Sequence, residues 1–311
     1  MQKADLIACY KRIRPFVHRT PVLTSRILNE LSGAELYFKC ENFQRIGAFK
    51  MRGAMNAVLQ LTEEQKSKGV VTHSSGNFAQ ALALAAQLTG IKAYIVMPSN
   101  ATQVKKNAVK GYGGEVIECV PTLEARETTA KQAENKYGAT FIHPYDNIHV
   151  IAGQATACIE LLEDHPNLYA VFAPVGGGGL ISGTALAAHF YCSTCKIYAG
   201  EPFEVDDAYR SLQSGKIEHN KTANTIGDGL KTDLGILTFP IIQQHVTAII
   251  RVTETEIMEA MRLIWERMKI IIEPSSAVAF AALLKDKENF KNKKVGIILS
   301  GGNVDLSTLP F

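Results

Sequence analysis

Short apolar runs alternate with helical segments along almost the whole chain, and several of those runs end in turns rich in glycine or serine. Stretches 70–73, 93–98, 115–120, 140–143, 169–175, 196–201, 247–252 and 295–300 read as strands. Helices are expected over 78–89, closed by Gly90, and near 102–110, 123–137 and 150–163. Runs that are apolar throughout suit strands covered on both faces, and helical crossovers between them make such strands parallel. The expected fold is therefore α/β with two parallel sheets. The four strand–helix units at 69–146 are expected to form a small domain, and 1–68 with 147–311 a large one. Thr253 with Glu256 has the spacing of a capping box, and Pro274 suits the first turn of a further helix.

Ligands of such folds sit where strands end and helices begin. Three turns stand out: THSSGNF at 72–78, PVGGGGLISG at 174–183 and LSGGN at 299–303. The first two lead into helices, where free backbone N–H groups and the helix dipole attract anions. Four consecutive glycines let the backbone wrap a phosphate closely, which makes Gly176, Gly177, Gly178 and Gly179 a candidate phosphate cradle. No frame within 176–183 gives G-x-G-x-x-G, so the turn argues only weakly for a nicotinamide cofactor held with Glu201.

RIGAFKMRGAMNA, at 45–57, adds a lysine near a helix start. At about 100° per residue, Arg52, Asn56 and Gln60 form one polar stripe, and Lys50 lies roughly 160° from Arg52. Its side carries Gly53, Ala54, Ala57 and Leu61. An amine there is desolvated and its pKa falls, the condition for a reactive lysine; a snorkelling lysine is the plainer alternative.

Composition excludes several classes. Charged residues make up 20% of the 311, and the net charge of +3 is too small and scattered for nucleic acid. No apolar run approaches a membrane span or a signal-peptide core, so a cytoplasmic protein is expected. The six cysteines include Cys192 and Cys195 in CxxC spacing, but no second CxxC follows, and unpaired thiols are expected. The eight histidines show no metal-ligand spacing, and His73 and His143 at strand ends read as packing or loop residues.

In combination, GAFKMRGA, THSSGN, PVGGGGL and LSGGNVD resemble, in order, the cofactor motifs of the fold-type II pyridoxal-phosphate enzymes, whose fold is tryptophan synthase β-like. The branch most similar is the serine racemase and serine/threonine dehydratase group. The resemblance implies that Lys50 forms the Schiff base with pyridoxal 5'-phosphate, with Phe49 beside the ring and Asn77 on the phenolic oxygen. It places the phosphate on Gly176 through Gly179 and Ser300 at the pyridine nitrogen, where a hydroxyl favours elimination and proton exchange over deeper carbanion chemistry. Ser74, Ser75, Gly76 and Asn77 would take the substrate carboxylate, with Arg126 nearby. Lys50 would remove the α-proton, and Ser75 would handle it on the opposite face. The implied activity is β-elimination of L-serine or L-threonine to a 2-oxo acid and ammonia, with serine racemisation as the alternative.

The resemblance further implies a Mg²⁺ or Ca²⁺ site on Glu201, Asp207 and the carbonyl of Val205, a homodimer, and ATP as an effector near Gln80, Tyr112, Lys269 and Asn303. Oxygen ligands of that kind suit hard cations. Arg26 and Ile46 depart from the nucleotide pattern. Ala48 stands where the family usually has serine, and Phe78-Ala79 where it often has His-Gly. Tyr145 is closer to the dehydratases, while Lys231 and Thr232 match racemase positions. The chain ends soon after LSGGNVD, so no feedback domain is expected.

Overall fold

Among the described residues ten strands form, eight of them where the apolar runs lie. They are β1 (Val22–Leu23), β2 (Glu35–Cys40), β3 (Val70–His73), β4 (Ala93–Pro98), β5 (Glu115–Cys119), β6 (Thr140–Phe141), β7 (Ala170–Pro174), β8 (Lys196–Pro202), β9 (Ala248–Val252) and β10 (Lys294–Leu299). The computed structural model describes residues 1–306 and 309. Two sheets result. One has six strands in the order β1-β2-β10-β7-β8-β9, and the other has four in the order β5-β4-β3-β6. Every pairing is parallel except β1 with β2, so the larger sheet is mixed at one edge rather than parallel throughout. Both β1 and β2 went unseen in the sequence pattern. The β2 run, ELYFKC, carries two charges that disguise a strand buried along nearly its whole length.

The helices form as their termini dictate. Thr253 and Glu256 close the capping box that starts Glu254–Met268, and Pro274 opens Pro274–Lys285. Asn147 caps Ile148–Asp164 by accepting from the backbone of His149 and Val150 at 2.9 and 3.2 Å. Three helices behind the larger sheet cross at glycines. A Cβ on Gly153 would lie 2.5 Å from the Arg52 carbonyl, and one on Gly183 2.6 Å from the Ala155 nitrogen. That close stacking sets Lys50–Leu59, Ile148–Asp164 and Gly179–Tyr191 in one core.

From Met51 to Val58 the Lys50–Leu59 helix is buried all round. Of the polar stripe expected on it, Arg52 and Asn56 therefore face protein, while Gln60, at the helix end, is exposed. Asn56 accepts from Arg12 at 2.7 Å and donates to the His149 carbonyl at 2.7 Å. Arg52 lies among Glu41, Glu160 and Lys39, all essentially inaccessible, with ion-pair distances of 2.6–2.8 Å. Two positive and two negative charges balance there, which is the condition for burying them at all.

Candidate active site

The turns that end β3, β7 and β10 converge on the first turn of the Lys50–Leu59 helix. The backbone of Ala48 bridges Gly301, the Phe49 N–H donates to the Ser300 carbonyl at 3.0 Å, and Gly302 donates to Gly47 at 2.9 Å. Ser300, at the end of β10 and buried, is thereby set beside the lysine.

Lys50 Nζ donates to the Pro144 carbonyl at 2.9 Å and lies 5.1 and 5.6 Å from the ring centres of Phe49 and Phe78. Burial lowers its pKa from 10.5 to about 8, and the Glu273 carboxylate offsets part of that fall. The amine is thus part-deprotonated near neutrality, as a general base requires.

The residue after Pro144 reaches the glycine loop. A Cβ on Gly177 would stand 2.4 Å from the Tyr145 ring, and one on Gly176 2.9 Å from the Leu230 backbone. Gly178 has φ +91°, and the helix that begins at Gly179 has no side chain capping its buried N-terminus. Backbone donors there suit an anion that the protein does not itself supply. With the Lys50 amine close by through Pro144 and Tyr145, the residues present fit a phosphorylated aldehyde cofactor.

Across the cleft, the Ser74 hydroxyl accepts from the Gly76 N–H at 3.3 Å, and space is open where a Gly76 Cβ would lie. Asn77 Nδ2 donates to Glu273 at 2.9 and 3.2 Å, and Asn77 Oδ1 accepts from Asn303 at 2.9 Å. Arg126 binds the Thr122 carbonyl through Nε, and its charge reaches His73. His73 and His143 are held near pKa 4, chiefly by burial, and so are neutral. His143 Nδ1 accepts from the Asp146 N–H at 2.9 Å, which leaves its proton on Nε2.

Sequence reasoning missed Glu273. Its carboxyl is 4% exposed and pushed up to about 8 by burial, then by Asp228. An acid closing the apolar run 270–272 just before Pro274 was the available signal. Asp146 was also missed; it caps Thr238–His245 by accepting from Leu237 at 2.8 Å and Thr238 at 3.3 Å.

Glu201 and Asp207 are both buried. Glu201 accepts from the backbone of Ala208 and Tyr209 at 2.8 Å each, and Asp207 from Asn220 and Leu234 at 2.7 and 2.8 Å. Burial raises both carboxyls, Asp207 to about 7, and the charge of Asp207 raises Glu201 further. Among the described residues no three His, Cys, Asp or Glu side chains gather as a metal site; the set here is two carboxylates and a carbonyl. Gln80, Tyr112, Lys269 and Asn303 lie on separate elements, and Asn303 Nδ2 is engaged by Ile46 and Asn77. The six cysteines are free.

A family model described as pyridoxal-phosphate dependent enzyme matches residues 13–301. The chain belongs to that family. It is 55% identical to a serine racemase of Dictyostelium discoideum, over 98% of this chain and 95% of that one. It is 48% identical to a β-hydroxyaspartate dehydratase of Paracoccus denitrificans, over 99% and 98% of the two chains. The crystal structure of the Dictyostelium serine racemase superposes with a TM-score of 0.94, covering 97% of this chain and 98% of that one. Fold-type II architecture is thus common to both, as the sequence motifs imply. Among the described residues, no helix is long and apolar enough to cross a membrane.

Proposed function

We propose that this enzyme racemises serine and, at the same site, eliminates its β-hydroxyl to give a 2-oxo acid and ammonia. The carrying observation is the Lys50 amine, half-buried beside the Phe49 and Phe78 rings with its pKa lowered to about 8. Likeness to a serine racemase moves the weight from the lyase activity expected first to racemisation. Likeness to a hydroxyaspartate dehydratase supports keeping elimination as the second activity.

Bound pyridoxal phosphate would supply an electron sink for the substrate's α-carbon. The N-terminus at Gly179, with Gly176, Gly177 and Gly178, would hold its phosphate; Asn77 and Ser300 would meet its ring substituents. Ser74 through Asn77 would dock the substrate carboxylate beside Arg126. Lys50 then takes the α-proton, and Ser75 returns one to the other face when racemisation wins. Glu201, Asp207 and the Val205 carbonyl would hold a Mg²⁺ or Ca²⁺ ion that orders the 200–211 loop, because a divalent cation relieves two mutually repelling buried carboxylates. The two sheets support a division into a small domain at 69–146 and a large one of 1–68 with 147–311. ATP as effector and a homodimer rest on the likeness alone.

The test is reconstitution with pyridoxal phosphate. A visible band that borohydride reduction removes, absent in Lys50→Ala, is expected, together with D-serine and pyruvate from L-serine. A loaded protein without that band overturns the proposal, and pyruvate without D-serine leaves the lyase alone.

A further inference from the structure

An asparagine amide presents two ends of nearly equal size, and rotation about its last bond costs little, so its partners decide which end faces a ligand. Only the nitrogen can donate. For Asn77 those partners form a directional chain. The Ile46 carbonyl has no proton to give, so Asn303 must turn Nδ2 towards it, at 2.7 Å. The same nitrogen lies 2.9 Å from Asn77 Oδ1. Asn77 Nδ2 is then committed to Glu273, 2.9 and 3.2 Å from its two oxygens.

Both ends of the chain are held. Ile46 has φ +59°, a conformation that a β-branched residue seldom adopts, and Gly47 follows at +72°. This strained turn aims the Ile46 carbonyl at Asn303. The Glu273 N–H donates to the Gly301 carbonyl at 3.0 Å. A Cβ on Gly301 would stand 2.8 Å from the carboxylate and 3.0 Å from the Ala48 Cβ, so the lack of a side chain at 301 makes room for the acid.

We propose that Glu273 and Asn303 are positioning residues that lock the Asn77 amide, nitrogen towards Glu273, and leave its second N–H for the phenolic oxygen of the bound cofactor. The flipped amide would set nitrogen against nitrogen at Asn303, whose Nδ2 the Ile46 carbonyl holds as a donor. This rests on the reading that the site holds pyridoxal phosphate and that Asn77 meets that oxygen. Asn303 sets the sense of the amide whatever the charge on Glu273, which protonated or ionised still offers Asn77 Nδ2 an acceptor.

The test uses full-length Asn303→Asp, Asn303→Ala and Glu273→Gln proteins. Their cofactor dissociation constants are measured by absorbance titration, alongside the unfolding midpoint of each cofactor-free protein. Asn303→Asp turns a second acceptor on Asn77 Oδ1, so binding should weaken by about tenfold or more, the value of one hydrogen bond. Asn303→Ala should weaken it less, and Glu273→Gln, which keeps an acceptor, least. In the same order the visible band should fade relative to near-ultraviolet absorbance, with unfolding midpoints little changed. Wild-type affinity and spectrum in Asn303→Ala and Asn303→Asp would overturn the proposal alone. A wild-type protein with no visible band would overturn the cofactor reading as well.

Discussion

Replacing Lys50 by methionine should stabilise the cofactor-free protein at pH 7 while abolishing its chemistry. A fall in pKa from 10.5 to about 8 means that holding the charged amine in its apolar setting costs about 3 kcal/mol. Methionine removes that cost but leaves the Pro144 carbonyl, now bonded at 2.9 Å, without its donor, a loss of about 1 kcal/mol. The net gain is about 2 kcal/mol. It should depend on pH in a defined direction. Between about 8 and 10.5 the unfolded lysine still holds a proton that the folded one has released. The unfolded state binds more protons there, so the wild type gains stability with rising pH and the methionine variant does not. Urea denaturation of the two cofactor-free proteins at pH 7 and near pH 10.5 is the assay. A variant no more stable than wild type at pH 7, or a gap unchanged with pH, would refute the account of Lys50 as a desolvated amine.

Gly177→Ala sets a methyl group 2.4 Å from the Tyr145 ring, so cofactor affinity should fall at least tenfold and stability by about 1–3 kcal/mol, read by titration and thermal melting. Arg52→Ala strands Glu41 and Glu160 with Lys39 as their remaining cation; a loss of about 3–5 kcal/mol in denaturation is expected although no reacting group is touched. Ser75→Ala should lower D-serine formation more than pyruvate formation; equal losses would contradict the two-face division of labour.

Much of this architecture could be read locally. The strands at 70–73 and 93–98 and the start at Pro274 depend on neighbouring residues: apolar runs and a fixed proline φ. The four glycines were conspicuous for a similar reason, since few other contexts ask for them. What they lie against was not visible, because Tyr145, Leu230 and Thr238 approach from distant segments. Glu273 looked like an ordinary acid before a proline until Asn77, 196 residues away, came within 2.9 Å.

The order of motifs along the chain therefore determined the fold class and which segments would meet. Tertiary structure decided which charges go inside. Lys39 and Glu160 are 121 residues apart, and neither shows its partner in its own surroundings. Periodicity and backbone conformation are written within one turn or one strand, whereas burying a charge depends on a counter-charge that only the folded chain delivers.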